Sequence, residues 1–209
     1  MRVAKEGLRF ILASVVLSVL FVILGLAFLA LIFFLLACVF TFFFRDPDRV
    51  PPAGERLLVS PADGEVLGVE ALGDHPGLDG PATRITIFLS ITDVHIVRAP
   101  LGATVASTEY HPGKFLPAYK PEAGAHNEST TLVLRGERID TVMKMIVGVA
   151  ARRIKSFVKA GDAVARGQRV GLMFFGSRVE LTLPRNVTIK TGLHDKVKAG
   201  ETVIGEVQT

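Results

Sequence analysis

Val158–Gly171 reads VKAGDAVARGQRVG, and this stretch decides the fold. Gly161-Asp162 and Gly167-Gln168 are turn pairs. Glycine enters left-handed backbone without a Cβ penalty, and a short acidic side chain caps neighbouring backbone N–H groups. Between and after the turns stand alanines and valines at strand-like spacing. Ser60–Val66, SPADGEV, and Val197–Glu206, VKAGETVIGE, repeat parts of the same grammar, which points to an internal duplication of one strand-and-turn unit. Working outward, short runs of Val, Ile, Thr, Leu and Phe bounded by Gly, Pro, Asp and Asn predict strands near 65–70, 83–89, 103–110, 129–134, 141–147, 179–183 and 188–191. A short helix is expected around 149–158. Long amphipathic helices do not alternate with these strands, so a doubly wound parallel sheet is excluded and the domain is mainly β.

The N-terminal fifth is different material. Phe10–Phe44 runs FILASVVLSVLFVILGLAFLALIFFLLACVFTFFF, 35 residues without a formal charge. As one straight helix it would be about 52 Å long at about 1.5 Å per residue, against a hydrocarbon core of about 30 Å. Two geometries are open: a hairpin folded near Gly25, or one tilted span. Arg2, Lys5 and Arg9 precede the run and Arg45 and Arg49 follow it. Basic residues on both flanks favour the hairpin, with both ends on the cytoplasmic face of the cell membrane. The run is far longer than the roughly 7–15 apolar residues of a signal peptide. The expected organisation is therefore a basic tail over 1–9, a membrane segment over 10–44, a proline-stiffened linker over 45–56 and a catalytic β domain over 57–209.

Composition removes several classes. Hydrophobic residues make up 49% and mean hydropathy is +0.43, values set by the N-terminal run. The single cysteine, Cys38, lies inside that run and excludes an intrachain disulfide or a multi-cysteine metal site. A net charge of +4 next to a membrane segment suggests anionic lipid as the partner, and nucleic acid is not expected.

Chemistry concentrates at Phe174-Phe175-Gly176-Ser177-Arg178-Val179-Glu180, where an apolar strand enters Gly-Ser and resumes with alternation. A serine becomes a nucleophile only when a base takes its proton and a third group orients that base. His95, among apolar residues in DVHIVRAP, and Asp63, in the Pro-Ala-Asp-Gly turn, are the candidates. Each also fits a plain structural role, as a core histidine or a turn. Met143-Lys144-Met145 resembles the acceptor of biotinyl proteins and opens an alternative, a membrane-tethered biotinyl- or lipoyl-like carrier without catalysis. Lys144, however, lies between β-type residues, not at a tight turn.

The turn grammar resembles the hammerhead strands of biotinyl and lipoyl domains and implies a barrel-sandwich, hammerhead-like domain. FFFRDPDR at 42–49, SPADGEV at 60–66, DVHIVRAP at 93–100, a Gly113-Lys114 segment ending in Asn127-Glu128, VGVAARRI at 147–154 and FFGSRVELTLP at 174–184 resemble, together and in this order, the short, membrane-anchored type of phosphatidylserine decarboxylase proenzyme. The resemblance implies a zymogen that cleaves itself between Gly176 and Ser177. Its products are a β chain, 1–176, and an α chain, 177–209, associated as a heterodimer and compatible with a larger homo-oligomer. Ser177 becomes a covalent pyruvoyl cofactor. It also implies His95 as base, held by Asp63, and phosphatidylserine as substrate, with no metal. Arg178 would stand beside the new group or on an exposed strand face. Lys114 and Lys120, in the basic and aromatic segment 111–120, would meet the lipid headgroup from a long loop.

Overall fold

The computed structural model describes residues 2–149, 153–174 and 176–208. Two compact units result, Met1–Asp48 and Arg49–Thr209.

In the first unit the apolar run is broken in two. Helix α1 spans Lys5–Ile23 and α2 spans Ala27–Phe43. The turn between them is Leu24-Gly25-Leu26, with Gly25 at φ +72° and its N–H on the Val22 carbonyl. The helices pack through Phe10 against Phe40 and Phe44, and through Phe21 against Phe33 at 5.4 Å. Ser18 Oγ donates to the Ala30 carbonyl. Gly7 lies under the Phe44 ring, where a Cβ would come within 2.3 Å of Cγ. A two-residue ladder between β1, Arg2–Val3, and β2, Arg45–Asp46, joins the polar ends of the hairpin. Of the two helices, α1 is long and apolar enough to cross a membrane.

The second unit is built from strands β3 Leu57–Val59, β4 Gly64–Asp74, β5 Pro81–Leu89, β6 Ile96–Arg98, β7 Ala103–His111, β8 Ser129–Gly136, β9 Asp140–Ile146, β10 Ile154–Ser156, β11 Ala163–Val164, β12 Arg169–Met173, β13 Ser177–Pro184, β14 Val187–Ile189, β15 Lys196–Val197 and β16 Val203–Val207. The short helix α3 spans Ala123–His126. An eight-stranded curled sheet has the order β11-β7-β8-β9-β13-β5-β4-β15, and two three-stranded sheets, β10-β12-β6 and β14-β16-β3, complete the unit. The pairings between these strands are antiparallel, as expected where hairpins and not crossover helices connect strands. The class expected from the turn grammar is the class found. The helix expected around 149–158 is not: residues 150–152 lie outside the described residues, and Ile154–Ser156 is strand β10, paired with β12. Beyond Arg153 the run Ile-Lys-Ser-Phe-Val alternates, which suits a strand better than a short helix.

The duplicated turns are physically equivalent. Gly161 and Gly200 take φ +92° and +76°, each at the same place in a Val-Lys-Ala-Gly sequence. In the first copy Asp162 accepts the Lys159 N–H, and in the second the Thr202 hydroxyl accepts the Lys198 N–H. Gly167 and Gly200 bring their turns together, and the buried Arg98 guanidinium donates to the Gly167 carbonyl at 2.8 Å.

Strand β13 is the spine. It pairs along its full length with β5 and over five residues with β9. Its odd-numbered side chains Val179, Leu181 and Leu183 enter the main core with Ile85, Ile87, Met143 and Met145, all of them fully buried. At the start of β4, Gly64 holds φ +148°, and a Cβ there would stand 2.1 Å from the Phe88 carbonyl oxygen. Gly64→Ala is therefore expected to cost about 2 kcal/mol or more, from backbone strain and overpacking together. Urea unfolding in detergent checks this, with a lowered midpoint expected.

Candidate functional site

The link between β12 and β13 is three residues long, 174–176. Gly176 sits at φ +62°, a conformation suited to glycine, and no heavy atom lies within 4 Å of where its Cβ would be. Ser177 opens β13 opposite Leu89, is wholly buried, and has its Oγ 3.5 Å from the Phe174 carbonyl. Gly148, just past β9, lies on the other side of the link: a Cβ on Gly148 would be 1.9 Å from the Gly176 carbonyl oxygen.

His95 is wholly buried at the foot of β6. Its main-chain carbonyl accepts the Met173 N–H at 3.0 Å, which ties it to the strand leading into the link. Its Nδ1 is 3.0 Å from the Asp93 carbonyl. A carbonyl only accepts, so this contact puts the proton on Nδ1 and the lone pair of a neutral ring on Nε2. The loop carrying His95 is tightened by Asp93, whose carboxylate accepts both the Ser90 N–H and the Ser90 hydroxyl at 2.8 Å.

Asp63 faces the same region from the turn before β4. One carboxylate oxygen accepts Arg49 at 3.0 Å and the other the Ala199 N–H at 2.7 Å. Burial pushes the Asp63 carboxyl above the ordinary carboxylate range, the Ala199 N–H and Arg49 oppose that rise, and Asp93 adds to it. The carboxylates of Asp63 and Asp93 are thus within electrostatic reach. The sequence suggested a direct grip of Asp63 on His95. In the structure His95 Nδ1 meets the Asp93 carbonyl, and Asp63 is engaged by Arg49 and the Ala199 N–H.

Arg178, considered for an exposed strand face, is buried. Even-numbered residues of β13 face the side of the sheet opposite the core, and there Arg178 meets Glu180 at 2.7 Å and donates to the Lys120 carbonyl at 3.2 Å. Segment 112–128, including α3, covers this pair: a Cβ on Gly124 would stand 2.5 Å from Glu180 Oε1 and 3.3 Å from an Arg178 guanidinium nitrogen. Lys144, mid-β9, donates from Nζ to the Gly124 carbonyl at 2.8 Å in the same layer. A cavity of about 440 Å³ remains there, lined in part by Arg84, Lys144, Arg178 and Glu180. Lys114 and Lys120 are exposed on the covering segment, and the Tyr119 ring meets Phe88 edge-on at 6.1 Å. Asn127 pins that segment: its side chain accepts the Leu116 N–H and donates to the carbonyls of Leu116 and Val147, at 2.7–2.9 Å.

Three of these residues were not read as functional from sequence. Arg49 stood as a membrane-flanking charge, Gly148 as one small residue of a motif, and Asn127 as a motif end. Only the double appearance of Arg49 and Asp63 beside proline turns could have hinted at pairing. Ser177 fits a group made from its own atoms: it is enclosed on a rigid strand, and its acyl neighbour rests in a cradle that a Cβ would fill.

The phosphatidylserine decarboxylase family model matches residues 36–205. A phosphatidylserine decarboxylase proenzyme of Carboxydothermus hydrogenoformans is 41% identical over 98% of this chain and 96% of its own length. Proteins of the same description from Geotalea uraniireducens and Erythrobacter litoralis are 40% and 45% identical, over 97% and 79% of this chain and 95% and 72% of their own lengths. With the family model covering residues 36–205 and relatives about 40% identical over nearly the whole chain, the chain belongs to the phosphatidylserine decarboxylase proenzyme family.

Proposed function

We propose that this chain is the zymogen of a membrane-anchored lyase that converts phosphatidylserine to phosphatidylethanolamine in phospholipid biosynthesis, and that it matures by cutting itself between Gly176 and Ser177. The observation that carries the reading is the placement of Ser177: buried at the head of the central strand, behind a left-handed Gly176, with His95 tied to the same link through Met173. In the proposed maturation His95 accepts the Ser177 hydroxyl proton and Oγ bonds to the Gly176 carbonyl carbon. The Gly176–Ser177 C–N bond breaks, and the amine takes the proton, leaving an ester. Loss of the Ser177 Cα proton then breaks the Cβ–Oγ bond and releases the Gly176 carboxylate. Water replaces the remaining nitrogen, which leaves as ammonia, and a ketone is left at position 177. That pyruvoyl group, when formed, supplies an electron sink for loss of carbon dioxide from an amino acid headgroup.

The chain's own residues supply orientation. His95 is poised as base by the Asp93 carbonyl, and Asp63 supplies negative potential to the same pocket while Arg49 keeps it ionised. Lys114 and Lys120, exposed on the segment over the sheet, suit the phosphate of a headgroup. Arg178 and Lys144 hold that segment in place from beneath. The apolar hairpin suits a cytoplasmic-side anchor, and a lipid substrate explains why an anchor is needed: the acyl chains stay in the bilayer while the headgroup enters the site. The carrier reading is disfavoured by Lys144, whose Nζ is held mid-strand by the Gly124 carbonyl.

Intact mass under denaturing conditions tests maturation. Wild type is expected as 1–176 and 177–209, the latter with a blocked N-terminus, and Ser177→Ala as a single chain. His95→Ala or Asp63→Ala should slow cleavage by roughly 10²–10⁴-fold, the usual worth of a base and its support. Phenylhydrazine should inactivate mature protein and add its mass to the smaller fragment alone; no adduct, together with a biotinyl or lipoyl mass on Lys144, would favour the carrier.

The acid limb of the cleavage rate gives a second test. Asp63 acts as an anion, and its pKa is raised, so cleavage should fail on acidification at a higher pH than an ordinary carboxylate would impose. Arg49 lowers that pKa, so Arg49→Gln should move the limb to still higher pH. A limb that stays in place would mean that protonation of another group, the base His95 first among them, sets it and not Asp63.

For topology, cysteines at positions 3 and 55 in a Cys38→Ser background should both resist an impermeant maleimide in intact cells. Labelling at position 3 alone would mean a single span.

A further inference from the structure

We infer that Gly148 is a positioning residue for self-cleavage: its bare Cα seats the Gly176 carbonyl, the bond that Ser177 attacks. The inference rests on the cleavage reading above and adds a part to it that neither the motif around Ser177 nor the family resemblance assigns.

Two glycines meet at this point for different reasons. Gly176 needs its conformation, φ +62°, and has open space where a Cβ would project. Gly148 needs space: a Cβ there would stand 1.9 Å from the Gly176 oxygen and 3.1 Å from the carbonyl carbon, with Ala118 Cβ at 3.4 Å. The hydrogen that glycine carries in that direction therefore points at the carbonyl oxygen, a weak Cα–H···O contact. Such a contact cannot replace a strong donor, but it fixes which way the oxygen leans. Attack by Oγ needs one face of the carbonyl turned to the nucleophile, and the oxygen must then move out of plane as the carbon becomes tetrahedral.

Gly148 is itself held firmly. The preceding Val147 donates its N–H to the Glu128 carbonyl at 3.1 Å, and its own carbonyl accepts Asn127 Nδ2 at 2.8 Å. Asn127 is 3% exposed and spends its remaining amide hydrogen and its oxygen on Leu116. One buried amide thus aligns the covering segment, the end of β9 and the surface under the scissile carbonyl. The contact matters only while residues 176 and 177 are joined.

The test follows cleavage of full-length protein in detergent by intact mass. Gly148→Ala should slow appearance of the 1–176 and 177–209 fragments by roughly 10²-fold, the cost of displacing a reacting group by about an ångström. The acid limb of the residual rate should stay where wild type has it, because Asp63 and Arg49 are untouched; general collapse of the pocket would move both. Thermal melting of Gly148→Ala, compared in a Ser177→Ala background so that neither chain is cut, shows whether the precursor folds. Should it not, Asn127→Asp decides, since it keeps the oxygen for Leu116 and loses both donors. Its expected effect is slower cleavage, at least tenfold, with an unmoved limb. Cleavage at the wild-type rate in a folded Gly148→Ala, or in Asn127→Asp, overturns the inference, and so does a rate lost together with a shifted limb. A wild-type chain that never cleaves would instead overturn the reading on which the inference rests.

Discussion

The register of β13 between β5 and β9 is the constraint on which the rest of this molecule depends. Ser177 opposes Leu89, and Arg178 opposes both Phe88 and Ile146, so that odd side chains enter the core and even ones enter the opposite layer. A slip of one residue would turn every side chain of the strand to the wrong face. It would put Arg178 and Glu180 among Ile85, Ile87 and Met143, and turn Ser177 to the opposite face of the sheet. The core thereby specifies the site: burying Val179, Leu181 and Leu183 is what locates the serine hydroxyl.

The other face of that strand shows how the covering segment is kept closed. Taking Arg178 and Glu180 away from water, with Lys144 and Arg84 half-buried beside them, is costly, and ion pairing alone does not return the whole cost. Here the cations also satisfy main-chain carbonyls, Lys120 through Arg178 and Gly124 through Lys144. These carbonyls belong to a segment whose only regular element is a four-residue helix. Its shape comes from its own backbone, through consecutive turns over 117–127 and the exchange of Lys114 with His126 and Glu128. The charges beneath fasten that shape to the sheet, and Asn127 sets its end. Segment 112–128 is for that reason an ordered cover, and its exposed lysines, 114 and 120, are presented from a defined platform.

Much of this was legible in the sequence because the signals were local. The Val-Lys-Ala-Gly copies carried their left-handed glycines in plain view, and alternation marked β5, β7, β8, β9 and β13 to within a few residues. Ser177, His95 and Asp63 stood out because each chemistry-bearing residue lay inside a turn or a β-type run. What stayed hidden depends on long-range pairing. Arg49 is 14 residues from Asp63 and 152 from Glu201, the two acids its guanidinium joins. Arg178 reads as an ordinary outward strand residue until the covering segment is placed over it. Asn127 begins an Asn-Glu-Ser triplet that, taken alone, suggests a surface acceptor for glycans; three hydrogen bonds to segments up to 20 residues away bury it instead. The failed helix at 149–158 has the same origin, since only pairing with β12 turns Ile154–Ser156 into a strand.

The same pairing explains how a chain could survive a cut that separates its last 33 residues from the rest. Residues 177–209 contribute β13, β14, β15 and β16, and three of these pair with strands from before the cut: β13 with β5 and β9, β15 with β4, and β16 with β3. The fragment is woven through two sheets and buries Val179, Leu181, Leu183, Val187, Val197 and Ile204 in the common core. Breaking one peptide bond at the edge of a turn removes none of these contacts. It releases only the link 174–176, so the new terminus at 177 is held by the ladder on both sides while the old carboxyl end gains freedom to leave. A reactive group made at that position would inherit the rigidity of the strand, which is the property a catalytic carbonyl needs and which a cofactor tethered through a flexible side chain would have to acquire from other contacts.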